Sequence, residues 1–217
     1  MILPTAAAPL DRRSVLKGLG GSATACLLAG CGSLLSTPKP PPPLYVLAPM
    51  MPGPMAGMRV KWQLAVALPN AQASLNTPRI ALSMTPTMLD YYADAAWTDR
   101  LPLLVQDLLI ESFEHSGKIT GVARDTAGIA ANYRLDTEMR QFEAHYDQAD
   151  TAPRVVVRLE AKLASLPDRN IVDSLSVNHE AQAAKNDLNS IVTAFNEASG
   201  AALQEIVNWT LRALPSG

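Results

Sequence analysis

A side chain acts as nucleophile, base or metal ligand only in the right company, and few residues in this 217-residue chain have that company. The three histidines, His115, His145 and His179, lie far apart and give no zinc spacing. His179-Glu180 begins a His-Glu-x-x-His pair, but position 183 is alanine. No Gly-x-Ser-x-Gly elbow or Walker loop occurs after the leader, and Gly18-Leu19-Gly20-Gly21 sits inside it. Glu111 and Glu114 fall on the outer side of an expected helix, where a solvated charged face is the default reading. The one reactive group with a defined setting is the thiol of Cys31, preceded by Leu28, Ala29 and Gly30. Small residues let a backbone enter a peptidase cleft in extended form, and the thiol is the nucleophile able to carry a diacylglyceryl thioether. The expected chemistry is therefore attachment rather than catalysis: no catalytic residue, no metal, no cofactor, and a covalent lipid on Cys31.

The residues before Cys31 support that reading. Leu28-Ala29-Gly30-Cys31 resembles a lipobox, and residues 1–30 read as an export signal of the lipoprotein type. Arg12, Arg13 and Lys17 form a positive n-region; Gly18 to Gly30 follow with seven apolar side chains, four glycines and no charge. A membrane-spanning helix would need about 20 apolar residues. Asp11-Arg12-Arg13-Ser14-Val15-Leu16-Lys17 resembles a twin-arginine motif, and an ordinary secretory n-region holding two arginines fits the same residues. Cleavage before Cys31 removes Arg12, Arg13, Lys17 and Asp11, so 15 basic residues face 19 acidic ones and the mature charge is −4. Such a chain has no reservoir of cations for a phosphate backbone, which argues against nucleic acid as a partner. It also discards Cys26, so no free thiol remains once Cys31 is acylated, as with palmitate-class chains. Gly32, rather than aspartate, follows the lipidated position. By the usual sorting rule this favours the inner leaflet of the outer membrane, facing the periplasm.

Eight prolines among residues 38–54 favour polyproline II and forbid a helix. Residues 31–54 read as a lipidated tether; the stretch from Gly32 to Pro43 could reach roughly 35 Å. Residues 55–217 read as a single domain, with folded structure beginning near Leu44. Met58, Val60, Trp62, Leu64, Val66 and Leu68 alternate with less apolar neighbours, as in a strand with one buried face. Ile80, Leu82 and Met84 repeat the pattern. Val155, Val157, Leu159, Ala161 and Leu163 give the clearest strand; the turn-like residues 166–170 and a strand through Val177 complete a hairpin. Tyr133 to Tyr146 is a further strand whose phase slips between Met139 and Phe142, predicting a bulge.

Helical spacing appears twice. Leu101, Leu104, Val105, Leu108, Leu109 and Phe113 form one stripe, with Pro102 in the first turn and Gly117 at the end. Leu188, Ile191, Val192, Phe195, Ala202, Leu203, Ile206 and Trp209 form another, in a helix expected from about Ala183 to Leu214 with Gly200 as a bend. The fold class is α+β: a largely antiparallel mixed sheet with two main helices packed on one face.

Residues 75–82 (Leu-Asn-Thr-Pro-Arg-Ile-Ala-Leu), followed by Leu89-Asp90-Tyr91-Tyr92-Ala93-Asp94-Ala95-Ala96-Trp97-Thr98-Asp99-Arg100-Leu101-Pro102, resemble the centre of the ABC-type transport auxiliary lipoproteins. Leu44 to Pro49, the helix around Leu104 to Ser112, the Phe113 to Ile119 exit and the closing Ile206 to Leu211 are similar too, so the resemblance covers essentially residues 25–214. It implies a non-enzymatic subunit of an MCE-type ABC transport system for lipids or other apolar molecules. The implied partners are an MCE-domain protein, a permease and an ATPase, with room for a homo-oligomer. Tyr91, Tyr92 and Trp97 read either as packing at the helix entry or, with Arg100, as a partner surface. The alternative functions are a lipid-binding carrier with its own apolar pocket and an envelope hydrolase whose site is assembled from distant residues.

Overall fold

A computed structural model describes residues 41–51, 53 and 59–214, and the compact unit begins at Pro42. The export motif, lipobox and Cys31 lie outside the described residues. The elements in chain order are β1 (Leu44–Tyr45), β2 (Val60–Val66), β3 (Asn70–Ala71), β4 (Arg79–Thr85), β5 (Met88–Trp97), α1 (Leu101–His115), β6 (Ile119–Arg124), β7 (Tyr133–His145), β8 (Arg154–Ser165), β9 (Asn170–Gln182) and α2 (Leu188–Ala213). A single turn of 3-10 helix, Asp125–Ala127, follows β6.

The spine is β7. Along one side it pairs antiparallel with β8 from Tyr133↔Ser165 to His145↔Arg154. Along the other side three strands take turns, all parallel to it: β2 at its start, β3 in the middle, β4 at its end. The sheet therefore forks at β7, with β5 and β1 continuing beyond β4 and β6 continuing beyond β2. The β8–β9 and β4–β5 pairings are antiparallel; β6 with β2 and β1 with β5 are parallel. The α+β class and the two helices agree with expectation, and the fold is a nine-stranded mixed sheet.

Side-chain period explains the layers. In β7, Leu135, Thr137 and Met139 are buried; the register then shifts between Met139 and Gln141, which restores Phe142 and Ala144 to the same face. The expected bulge is thus in place, because without it Phe142 would point into water. In β4 the phase is broken twice, between Arg79 and Ala81 and between Ser83 and Thr85. Ile80, Ala81 and Ser83 are buried while Met84, expected on the buried side, is 43% exposed. Leu68, beyond the end of β2, is exposed as well.

Both helices cover the apolar face and share one core with it. Pro102 sits in the first turn of α1, where no N–H is needed, and Leu101 N–H donates to the Thr77 carbonyl at 3.2 Å. Gly117, at φ 65°, turns the chain out of the helix. Helix α2 starts at Leu188, five residues later than the periodicity suggests, because Asp187 caps it. Its carboxylate accepts from Ser190 N–H at 2.9 Å, which holds that carboxyl below its ordinary value. Ala183 instead ends the sheet region, donating its N–H to the Pro153 carbonyl.

Gly200 has a different role from the expected bend. A Cβ placed there would lie 3.2 Å from Pro49 Cβ, because residues 48–51 cross α2 at this point. Ala48 N–H donates to Asn196 Oδ1 at 2.9 Å on the same face, and Leu47 is buried in the core. The later part of the proline-rich stretch thus lies on the domain. Substituting Gly200→Leu is expected to lift this strap while sparing the helix, since leucine is the better helix former by up to about 1 kcal/mol. Amide exchange at Ala48 should accelerate about tenfold or more with little change in thermal midpoint. Unchanged exchange at Ala48 would show that the strap does not depend on close approach to Gly200.

Candidate functional site

The residues singled out as a partner surface separate into three environments. Trp97 is 1% exposed, at the end of β5. Its ring meets Phe142 edge-on at 6.5 Å and Phe195 at 5.3 Å, and those two rings stack on each other at 5.2 Å. It belongs to the core and contributes nothing to an outer surface. Tyr92 is half-buried: its hydroxyl lies 2.9 Å from that of Tyr146, which donates in turn to Asn186 Oδ1 at 2.8 Å. Burial foremost, then the Tyr146 hydroxyl, drives the Tyr92 phenol well above its ordinary value. Tyr92 therefore ties β5 to the end of β7 and to the loop before α2.

Arg100 remains as surface, with Tyr91 half-buried nearby. Tyr91 donates its hydroxyl to the Ser74 carbonyl at 2.9 Å, and the Arg79 guanidinium lies over its ring at 3.6 Å. Arg100, exposed at the start of α1, reaches to 3.5 Å from Asn76 Oδ1. Backbone bonds fix this arrangement: Trp97 N–H donates to Pro78 at 2.7 Å and Thr98 N–H to Tyr45 at 3.1 Å. The turn 75–79, the end of β5 and the start of α1 are thus tied together, which is why the two parts of the sequence block act as one unit. Arg79 and Asn76 belong to the same sequence block, and their place beside Tyr91 and Arg100 comes from these tertiary bonds.

The open face of the sheet carries a polar network that sequence spacing did not reveal. Ser83 Oγ donates to Glu143 Oε1 at 2.9 Å and lies 3.0 Å from His145 Nδ1, while His145 Nε2 is 3.4 Å from Asp147 Oδ1. The order serine, histidine, aspartate brings a hydrolase to mind, but the environment suits a structural role better. Ser83 is 4% exposed on a strand, its single proton has a carboxylate acceptor, and the solvent-facing Asp147 is too distant to fix the imidazole. Arg154 extends the network, with Nε 3.2 Å from Glu180 Oε2. Among the described residues no group of three histidine, cysteine or acidic side chains is placed to hold a metal, and no helix is long and apolar enough to cross a membrane.

Two of the grooves among the described residues lie beside a helix. One, of about 650 Å³, lies between the strap and α2 and is lined by Met50, Met51, Thr193, Asn196, Gly200 and Ala201 among others. The other, of about 760 Å³, runs between the outer side of α1 and the chain from Val122 to Ala127.

Sequence comparison places this geometry. Residues 45–207 match the model of the family described as ABC-type transport auxiliary lipoprotein component. The chain belongs to that family. The match begins at β1 and ends in α2, so it takes in the knot around Tyr91 and Arg100 and nearly the whole sheet. A crystal structure of a Xanthomonas campestris protein of the family labelled DUF330 is 31% identical, with a TM-score of 0.71, covering 78% of this chain and 95% of that one. A second crystal structure, of an uncharacterized protein, has a TM-score of 0.59 at 12% identity and supports the fold alone; it covers 73% of this chain and 99% of that chain. An uncharacterized protein of Bradyrhizobium diazoefficiens is 30% identical over 153 residues, which are 70% of this chain and 40% of that protein. The chain thus spans well under half the length of that curated relative. As an auxiliary transport lipoprotein, the chain is of a kind associated with the cell envelope and with an ABC transport system.

Proposed function

We propose that this auxiliary lipoprotein is a non-catalytic subunit of an MCE-type ABC transport system that moves lipids or other apolar molecules. It is held by acyl chains on Cys31 to the inner leaflet of the outer membrane, and its domain faces the periplasm. It works by contact, with an MCE-domain protein, a permease and an ATPase as partners and with copies of itself as a homo-oligomer. The family match over residues 45–207 carries this reading. The lipobox before Cys31 and the −4 mature charge, which disfavours nucleic acid, support it. Exposed Arg79 and Arg100, with the half-buried Tyr91 ring beneath Arg79, supply the surface, since tyrosine and arginine are enriched where partners bind.

The test is affinity purification from membranes in gentle detergent, with the co-purifying proteins and lipids identified. Tyr91→Ala and Arg100→Ala variants are expected to keep the native circular dichroism and thermal midpoint within a few degrees, yet to recover several-fold less of the transporter subunits. Recovery of none of those subunits by the unmodified protein would overturn the reading. The groove of Met50, Met51 and Gly200 favours a second one, in which the domain itself carries an apolar molecule. Stoichiometric lipid without any transporter subunit would support that alternative.

A further inference from the structure

Strand β6 is an edge. It pairs with β2 on one side, and among the described residues its other side has no backbone partner. An unpaired edge is a row of free donors and acceptors, ready to take another strand. Helix α1 runs antiparallel to β6 through the tight turn at residues 116–118, and the groove of about 760 Å³ lies between its outer side and Val122, Ala123 and Arg124. A strand edge on one wall and a helix on the other is the geometry by which an extended peptide is taken up as an extra strand.

The charges choose the peptide. Asp107, Glu111 and Glu114 follow one another at i, i+4 and i+7 along the helix wall, and all line the groove. Asp107 pairs with Arg124 at the far end. Glu111 and Glu114 have no ion-pair partner among the described residues. Ile110, beside this acidic row, adds an apolar contact. In an added strand every second side chain would face the helix, so a segment with lysine or arginine at alternate positions would meet these carboxylates while its backbone completes β6.

We propose that the groove between α1 and β6 docks an extended, basic segment of a partner protein by strand addition. This goes beyond the transport reading and does not depend on it, because the probe is synthetic. The full-length lipoprotein in detergent is titrated with a fluorescent heptapeptide alternating lysine and threonine, and with the same peptide carrying glutamate for lysine. The lysine peptide is expected to bind with salt-sensitive affinity, to slow amide exchange in residues 119–124, and to bind about tenfold more weakly to the Glu111→Lys/Glu114→Lys variant. The glutamate peptide is expected to bind the unmodified protein at least tenfold more weakly. Glu160→Lys/Glu180→Lys, on the opposite face of the sheet, is the charge-matched control and should leave the affinity unchanged. Equal binding of the two peptides, protection on β9 instead of β6, or an equal loss with Glu160→Lys/Glu180→Lys would overturn the proposal.

Discussion

Truncating Trp97 to alanine is expected to cost the domain about 3–5 kcal/mol, the range for removing a fully buried large aromatic. The indole is 1% exposed and is clamped between Phe142 of β7 and Phe195 of α2, so its removal opens a cavity where the sheet spine, β5 and α2 meet. Two edge-to-face contacts are lost with it, each worth about 0.5–1.5 kcal/mol beyond the area buried. For a domain of this size the midpoint of thermal unfolding should fall by roughly 10 °C. Trp97→Phe, which keeps an aromatic ring in the site, should recover a substantial part of the loss. Chemical denaturation of both variants measures the effect. A Trp97→Ala protein as stable as the parent, yet failing to recover the transporter, would return this residue to the partner surface and contradict the packing described here.

That contrast between Trp97 and its neighbours shows what the sequence could and could not reveal. Periodicity alone exposes the strands β7, β8 and β9, and with the turn residues 166–170 the β8–β9 hairpin, because Val155, Val157, Leu159, Ala161 and Leu163 must all face one way. It even locates the bulge near Arg140, since Met139 and Phe142 cannot both be buried without one. It fails in β4, where two irregularities within seven residues scramble the phase and leave Met84 outside. The neighbours of a strand are also invisible to it: nothing in the run of β2, β3 and β4 announces that all three lie parallel to β7. For the same reason Ser83 and His145, sixty-two residues apart, met unannounced.

The candidate surface follows the same rule. Tyr91, Tyr92, Trp97 and Arg100 are close in sequence and of the types that bind partners, but exposure is decided by what the rest of the chain places over them. Phe195 and Phe142 cover Trp97, Tyr146 engages Tyr92, Ser74 and Arg79 hold the half-buried Tyr91, and Arg100 stays outside. Gly200 makes the point for the backbone. A glycine in a helix looks like a weakness, and its reason appears only when residues 48–51 are seen to pass over it.

Replacing Cys31 by serine is expected to have an all-or-none effect on where the protein resides. Partitioning of an acyl chain into a bilayer contributes about 0.8 kcal/mol per buried methylene, and one chain alone gives only marginal binding. A diacylglyceryl thioether carries two, which is enough for stable anchoring, whereas the folded domain offers no membrane-spanning helix among its described residues. A hydroxyl is far too poor a nucleophile to replace the thiol in that transfer. The Cys31→Ser protein should therefore lack the mass of the acyl chains and should leave the detergent-rich phase on separation, apart from any precursor still held by its leader. The domain from Pro42 onward should keep its fold, since Cys31 lies outside it. Under the proposed function, transport would then fail through loss of local concentration at the membrane rather than through loss of any contact surface, and fusing another lipidated leader upstream of the tether should restore it. An intact leader or an unmodified thiol on the native protein, seen by mass spectrometry, would remove the anchor and the placement that depends on it.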